Sequence, residues 1–260
     1  MTDPAALCDV VAGVATITLN RPDSKNRLDA AAMAEVAGHL DACGADDAVR
    51  VIVLTGSGTT FCAGADLAAA ASGAADGFVG SGPQGLVRLL TAILDNPKPV
   101  IAKVQGHVAG GGNGLVAACD IAVASSEALF AFSEVRLGVA PAVISVVCLE
   151  VMDRRSAQEL FLTGERVDAD RVREAGLLTK VCPPEALDAV VGGYVKLLTA
   201  GGPQALAHSK DLIRRVPRLS RADAFDVTAE LSAALFGSDE AREGMTAFLE
   251  KRPAAWVSLT

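Results

Sequence analysis

Apolar positions along the chain form two kinds of run. Val14-Ala15-Thr16-Ile17-Thr18-Leu19 alternates, is rich in β-branched residues and closes in the breaker Asn20-Arg21-Pro22-Asp23, which predicts a strand. Val49 to Thr55, bounded by Gly56, is a continuous apolar run, and so is Val100 to Val104, entered through Asn96-Pro97-Lys98-Pro99. Short runs of this type predict strands buried on both faces. Asp29 reads as the N-cap of an Ala-rich helix reaching about Cys43. From Arg154 onward the pattern is mainly helical: Arg155 to Leu162, Asp168 to Ala175, Glu185 to Leu198, Gln204 to Arg214, Arg221 to Leu235 and Asp239 to Glu250. Buried strands alternating with helices imply crossover units, hence an α/β architecture with parallel pairing. Ala71 to Gly85, made of Ala, Gly, Ser and Asp without a periodic apolar face, is expected to be a mobile loop. No repeat of fixed period and no linker separates an independent domain, so the helical tail is expected to pack on its own core or on a partner subunit.

Composition narrows this further. At 260 residues with 51% hydrophobic and 21% charged positions, the chain is a globular protein of one large domain, or one with a small appendage. Disorder, collagen and coiled coil are excluded. Aromatics are only 4%, so the core is built from small and branched side chains that tolerate close backbone approach. A net charge of −8 works against binding nucleic acid or an anionic membrane, and an anionic ligand would need locally arranged cations. The six cysteines are scattered without a Cys-x-x-Cys pair, which argues against a zinc site or a disulfide scaffold and for reduced thiols. Met1 to Leu7 carries acid rather than a basic stretch leading into an apolar run, and no apolar segment reaches about 18 residues, so a cytoplasmic protein is expected. His107 and His208 have no nucleophile or metal partner at local spacing and no Gly-x-Ser-x-Gly elbow occurs, so both are read as structural.

Two segments place small residues where backbone must come close to something: Phe61-Cys62-Ala63-Gly64-Ala65-Asp66-Leu67, after the Gly56-Ser57-Gly58 turn, and Gly106 to Asp120, with its triplet Gly110-Gly111-Gly112. Leu115 to Cys119 is helix-competent, so the triplet sits at a helix N-terminus with free N–H groups that attract negative charge. Gly112-x-Gly114-x-x-Ala117, with Glu134 about twenty residues on, also fits a dinucleotide-binding fingerprint, although Gln105-Gly106-His107 interrupts the strand that should lead into it. The glycines could equally just let a helix pack against a strand. One N–H from each segment converging on a single oxygen would form an oxyanion hole.

With these two segments the chain resembles the enoyl-CoA hydratase/isomerase (crotonase) superfamily. Further matching motifs occur in family order over nearly the whole chain: Leu19 to Pro22, Val51 to Gly56, Pro97 to Ala102, Gly110 to Asp120, Phe132 to Gly138, Leu162 to Gly164, Ala175 to Leu177, and Arg242 to Arg252. The resemblance implies an α/β spiral of ββα repeats over residues 1–195 and a C-terminal helical oligomerisation region over 196–260. It also implies a homotrimer or homohexamer, and an acyl-CoA thioester as substrate, coenzyme A being part of the substrate rather than a separate cofactor.

Carried over by position, the oxyanion donors are the N–H groups of Ala65 and Gly111, and Glu134 is the acid/base. Ala63, Asp66, Asn113, Gly114 and Arg136 are expected along the substrate, with Lys25, Arg27, Phe248 and Lys251 near the adenine and phosphates. Two-glutamate hydratases of the family carry a carboxylate three residues after the second oxyanion glycine; here that place is Gly114. The lysine usual after the Ala-Gly-Ala-Asp motif is also absent, Ala68 and Ala69 standing there. One carboxylate suffices for 3,2-enoyl-CoA isomerisation. Gly110 to Asp120 followed by Ser133 to Ser145 nevertheless looks most like bacterial methylglutaconyl-CoA hydratase-type members, which share the glycine. In that case Asn113, or a distal substrate carboxylate paired with Arg136, places the water. A noncatalytic acyl-CoA-binding homologue and a nicotinamide oxidoreductase are the competing readings.

Overall fold

The computed structural model describes residues 3–65 and 82–259. Its larger sheet is assembled from the buried runs. Val14–Leu19 (β2) alternates in burial as in sequence, and Val51–Gly56 (β3) is buried at every position. They pair in parallel with each other and with Val100–Val104 (β5), Ile121–Ser125 (β7) and Lys180–Cys182 (β10), in the order β2-β3-β5-β7-β10. Ala6–Val11 (β1) closes one edge as an antiparallel hairpin partner of β2. Ile52 and Leu54 point into the main core, whereas Val51, Val53 and Ile101 form a second cluster with Leu187 and Val191. The sheet is therefore covered on both faces, which is why its strands read as unbroken apolar runs.

Three of its strands, β3, β5 and β7, are each followed by a short one in a smaller sheet. Thr60–Cys62 (β4), His107–Ala109 (β6) and Leu129–Ala131 (β8) pair in parallel, and Arg166–Asp168 (β9) adds an antiparallel edge. The repeating ββα unit is thus β3-β4 with the helix Gly82–Leu94, then β5-β6 with the helix Gly111–Ala118. The chain bends between β5 and β6 at Gly106, where a Cβ would lie 2.0 Å from Thr59 O, so only glycine passes.

Asp29 caps the helix Ala30–Ala45, its side chain accepting from Ala32 N, and the helices of the C-terminal third fall within two residues of their expected bounds. Gly82 to Gly85, expected within a loop, form the first turn of the helix Gly82–Leu94; the rest of that stretch, 71–81, lies outside the described residues. The expected division at residue 196 falls inside the helix Leu187–Thr199. No helix among the described residues is long and apolar enough to cross a membrane.

The C-terminal helices are tied to the core by two buried cations. Arg50 donates to Trp256 O at 2.9 Å and Gly201 O at 2.7 Å. Lys210, on the helix Pro203–Arg215, donates to Ile93 O at 3.0 Å and Lys98 O at 3.3 Å, and pairs with Asp120 at 2.8 Å. Asp120 also accepts from Val100 N, so one carboxylate joins β5, the end of the helix Gly111–Ala118 and the C-terminal region. Removing one partner of such a pair strands the other charge. Lys210→Met is expected to destabilise the fold by about 3 kcal/mol, measured by urea unfolding at neutral pH.

Candidate active site

The strand β4 leads into Ala63-Gly64-Ala65, which lies along the segment Lys25 to Leu28. Ala63 N donates to Lys25 O at 3.0 Å and Leu28 N to Gly64 O at 2.7 Å, and Leu28 bridges Ala65 in parallel. Gly64 has φ +84°, and a Cβ there would meet Ala109 O at 2.8 Å and Gly111 N at 3.2 Å. Gly110 has φ +50° and forms the N-cap of the helix Gly111–Ala118. Both glycines are needed because the two turns approach within van der Waals distance, and a left-handed conformation suits neither turn to a larger residue. Among the described residues neither Ala65 N nor Gly111 N donates a hydrogen bond, and Gly111 N is one of the helix's orphan donors.

Glu134 reaches this place from a third element, the 3-10 turn Ser133–Leu137 that follows β8. Phe132 is buried and packs its ring 4.7 Å from that of Phe161, which fixes the start of the turn. Gly138, left-handed, closes it by donating back to Glu134 O and Val135 O. The carboxyl group then lies over Gly110, where a Cβ would come 3.6 Å from Glu134 Oε1. Its Oε2 is buried and has no hydrogen-bond partner. Loss of solvent raises the Glu134 carboxyl above the usual glutamate range, with only a backbone hydrogen bond in its own turn acting the other way. Burial and, secondarily, the Glu134 charge also push the neighbouring Cys148 thiol up.

The structure therefore brings together Ala63, Ala65, Gly111 and Glu134, with Lys25 and Arg27 along the adjoining edge. The other expected residues are placed differently. Asn113 is fully buried: its Nδ2 donates to Ala131 O at 2.9 Å and Gly110 O at 3.3 Å, so both amide hydrogens are in use and none is left to hold a water. Gly114 does not face open space, since a Cβ there would meet Ile144 Cγ2 at 2.5 Å and Leu90 Cδ2 at 3.5 Å. Arg136 donates from Nε to Thr163 O at 3.2 Å and thereby caps the helix Arg154–Thr163. Phe248 is 83% exposed and Lys251 is the left-handed C-cap of the helix Asp239–Glu250, and no described contact within the chain joins either to Glu134. Asp66 lies outside the described residues. Among the described residues no group of His, Cys, Asp and Glu side chains could hold a metal ion.

Sequence reasoning did not single out Ile144, Leu28 or Leu86. Ile144 fills the space beside Gly114, while Leu28 Cδ1 and Leu86 Cδ2 would lie 3.1 and 3.6 Å from a Cβ on Gly111. They are the apolar walls of the glycine turns. The only sequence signal for Ile144 was its place in the stretch that follows Glu134.

Comparison with known proteins identifies relatives over nearly the whole chain. A family model described as enoyl-CoA hydratase/isomerase matches residues 9–258. The crotonyl-CoA hydratase of Syntrophomonas wolfei is 33% identical over 252 residues, covering 94% of this chain and 95% of that protein. The trans-2-decenoyl-acyl-carrier-protein isomerase of Streptococcus mutans is 29% identical over 254 residues, covering 95% of each. The crystal structure of an enoyl-CoA hydratase from Mycobacterium smegmatis superposes with a TM-score of 0.90 at 34% identity, over 98% of this chain and 99% of that one. The sequence match runs through every element that builds the site, from Leu28 to Glu134, and on this evidence the chain belongs to the enoyl-CoA hydratase/isomerase, or crotonase, family.

Proposed function

We propose that the chain acts on an enoyl-CoA thioester, that the N–H groups of Ala65 and Gly111 receive the thioester oxygen, and that Glu134 moves the proton. The observation that carries this reading is the half-buried Glu134 carboxyl seated over Gly110, its Oε2 enclosed and, among the described residues, without a hydrogen-bond partner, beside two turns whose N–H groups donate to none of those residues. When a base removes a proton from C2 of a thioester, negative charge builds on the carbonyl oxygen. Donors already in place stabilise that charge without reorganising, and losing one typically costs about 3 kcal/mol in the transition state. A carboxylate raised by burial is the stronger base and can return the proton it takes.

A single carboxylate suits transfer of a double bond from the 3 to the 2 position. Glu134 takes the C2 proton and the C2–H electrons form the dienolate; as the carbonyl re-forms, the C1=C2 pair becomes the C2=C3 bond and the C3=C4 pair takes the proton back from Glu134 at C4. The Gly114–Ile144 contact favours this reaction, because the place of a second carboxylate is filled by a methyl group. Hydration is the second reading, favoured by the name of the Syntrophomonas wolfei relative and by the resemblance to methylglutaconyl-CoA hydratase-type members. In that case Glu134 alone would deprotonate the water and protonate C2.

Lys25 and Arg27 at the rim would meet coenzyme A phosphates in an otherwise acidic protein. Phe248 and Lys251 would reach the ligand only from a neighbouring copy. Association of copies through the C-terminal helices is part of the proposal, supported by the exposure of Leu197, Ile213, Phe225, Phe236, Phe248 and Leu249.

Glu134→Gln keeps the shape and removes the base. The variant should lose about 10²- to 10⁴-fold in kcat on the active substrate of a pair, a 3-enoyl-CoA and crotonyl-CoA, while still binding the thioester. Binding by the wild type without turnover of either substrate would reduce the protein to a carrier. The group binds its proton more tightly folded than unfolded, so it withdraws stability as pH rises through its folded value. Glu134→Gln should therefore melt no lower than wild type at pH 7, the difference vanishing below the ordinary glutamate range of about 4.3. Gly114→Ala should cost about 1–3 kcal/mol in chemical unfolding, and Ile144→Leu, which removes Cγ2, should recover most of it in the double variant.

A further inference from the structure

Asn113 is wholly enclosed on the helix Gly111–Ala118, beneath the glycine turns. Its Nδ2 lies 2.9 Å from Ala131 O and 3.3 Å from Gly110 O, and its backbone N donates to the same Gly110 O at 3.0 Å. Ala131 O accepts from Gly110 N as well, at 3.1 Å. Its Oδ1 is buried without a partner. Turning the amide over would face Oδ1 with two carbonyl oxygens, so the hydrogen-bond network itself fixes which end points where. A buried carbonyl left unpaired costs stability that an apolar residue of similar size would not. Packing alone therefore gives no reason for an asparagine here.

The geometry points to Asn113 as a positioning residue that aims the Gly111 N–H at the thioester oxygen and ties that donor to the strand that leads into the Glu134 turn; this rests on the oxyanion reading above. The peptide joining Gly110 and Gly111 is planar and trans, so its C=O and N–H point in opposite directions. With the Gly110 carbonyl drawn down by two donors of Asn113, the Gly111 N–H faces away from the core, toward Gly64, where a Cβ would lie 3.2 Å from Gly111 N. The second Nδ2 hydrogen holds Ala131 O at the end of β8, three residues before Glu134. One amide thus sets the donor and the base relative to each other, and it does so from behind, without touching the ligand.

The test uses 2,4-hexadienoyl-CoA, a conjugated thioester whose absorption moves to the red when its carbonyl is polarised. Spectra are taken in the Glu134→Gln background so that the probe is not consumed. The expected result is a red shift in that background, most of it lost on adding Asn113→Ala with the probe still bound. With Glu134 intact, Asn113→Ala should lower kcat by about tenfold or more with KM little changed. Asn113→Asp has the same size but presents acceptors to the two carbonyls, and it carries the same comparison if the alanine variant does not fold. Val116→Ala, a cavity in the same helix with no hydrogen bond lost, should keep both the red shift and kcat. The inference is overturned if the Asn113 variants lose only stability, as Val116→Ala does, and keep the full red shift. No red shift in the parent background with the probe bound would overturn the oxyanion reading itself, and this inference with it.

Discussion

The structure depends on one close approach, that of the Ala63–Ala65 turn to the Ala109–Gly111 turn. A Cβ on Gly64 would come within 2.8 Å of Ala109 O, and one on Gly112 within 2.8 Å of Cys62 O and 2.9 Å of its Cβ. Two strands of the small sheet, β4 and β6, deliver these turns side by side, and the helix that follows the second turns its orphan N–H groups into the same gap.

Given that approach, charge decides what the gap can do. Two unspent N–H groups favour an oxygen that becomes negative, whereas the Glu134 carboxyl is a charge in a place that disfavours charge. Nothing described pairs with its Oε2, so the strain between burial and ionisation is not relieved until a proton arrives. On the proposed reading, such a site stabilises the moment at which the proton has moved from carbon to carboxylate and the electrons have moved to oxygen. Beside Gly114 the space is taken by the Ile144 methyl, which a Cβ there would meet at 2.5 Å.

Those features were legible in the sequence to different degrees, and the differences have physical causes. β2 alternates because one of its faces is buried, and its bounds are those expected. Asp29, and the helix Asp239–Glu250 after Ser238, are bounded by local capping that needs no tertiary contact. The three-residue strands β4, β6, β8, β9 and β10 are too short to show a period and exist only through their neighbours. Ala142–Val151 reads AVISVVCLEV, apolar and β-branched throughout, so neither period marks it as a helix. Gly82–Leu94 opens on Gly-Pro-Gln-Gly, a loop-like composition, and its amphipathic part begins only afterwards. The site was legible where it is backbone, in the two glycine turns, because a glycine's reason for being there is local. The Asn113 and Ile144 contacts were not, because what each touches is fixed by a different segment of chain.

The C-terminal third presents the last constraint. Arg50 and Lys210 hold it from inside with hydrogen bonds to carbonyls that would otherwise be buried and unpaired, and this fixes where the helices lie. Their other faces are apolar: the helix Arg221–Phe236 buries none of its residues, and Phe225 and Phe236 are 68% and 72% exposed. Fully burying a side chain of this kind is worth about 1.5–3 kcal/mol, so helices laid down with these faces outward give up stability that a second copy could return. Phe248 belongs to the same surface, one helix further on. Phe248, which family position assigns to the coenzyme A end of the substrate, therefore sits on the face with most to gain from association. The residues assigned to its thioester end sit where one chain has folded upon itself.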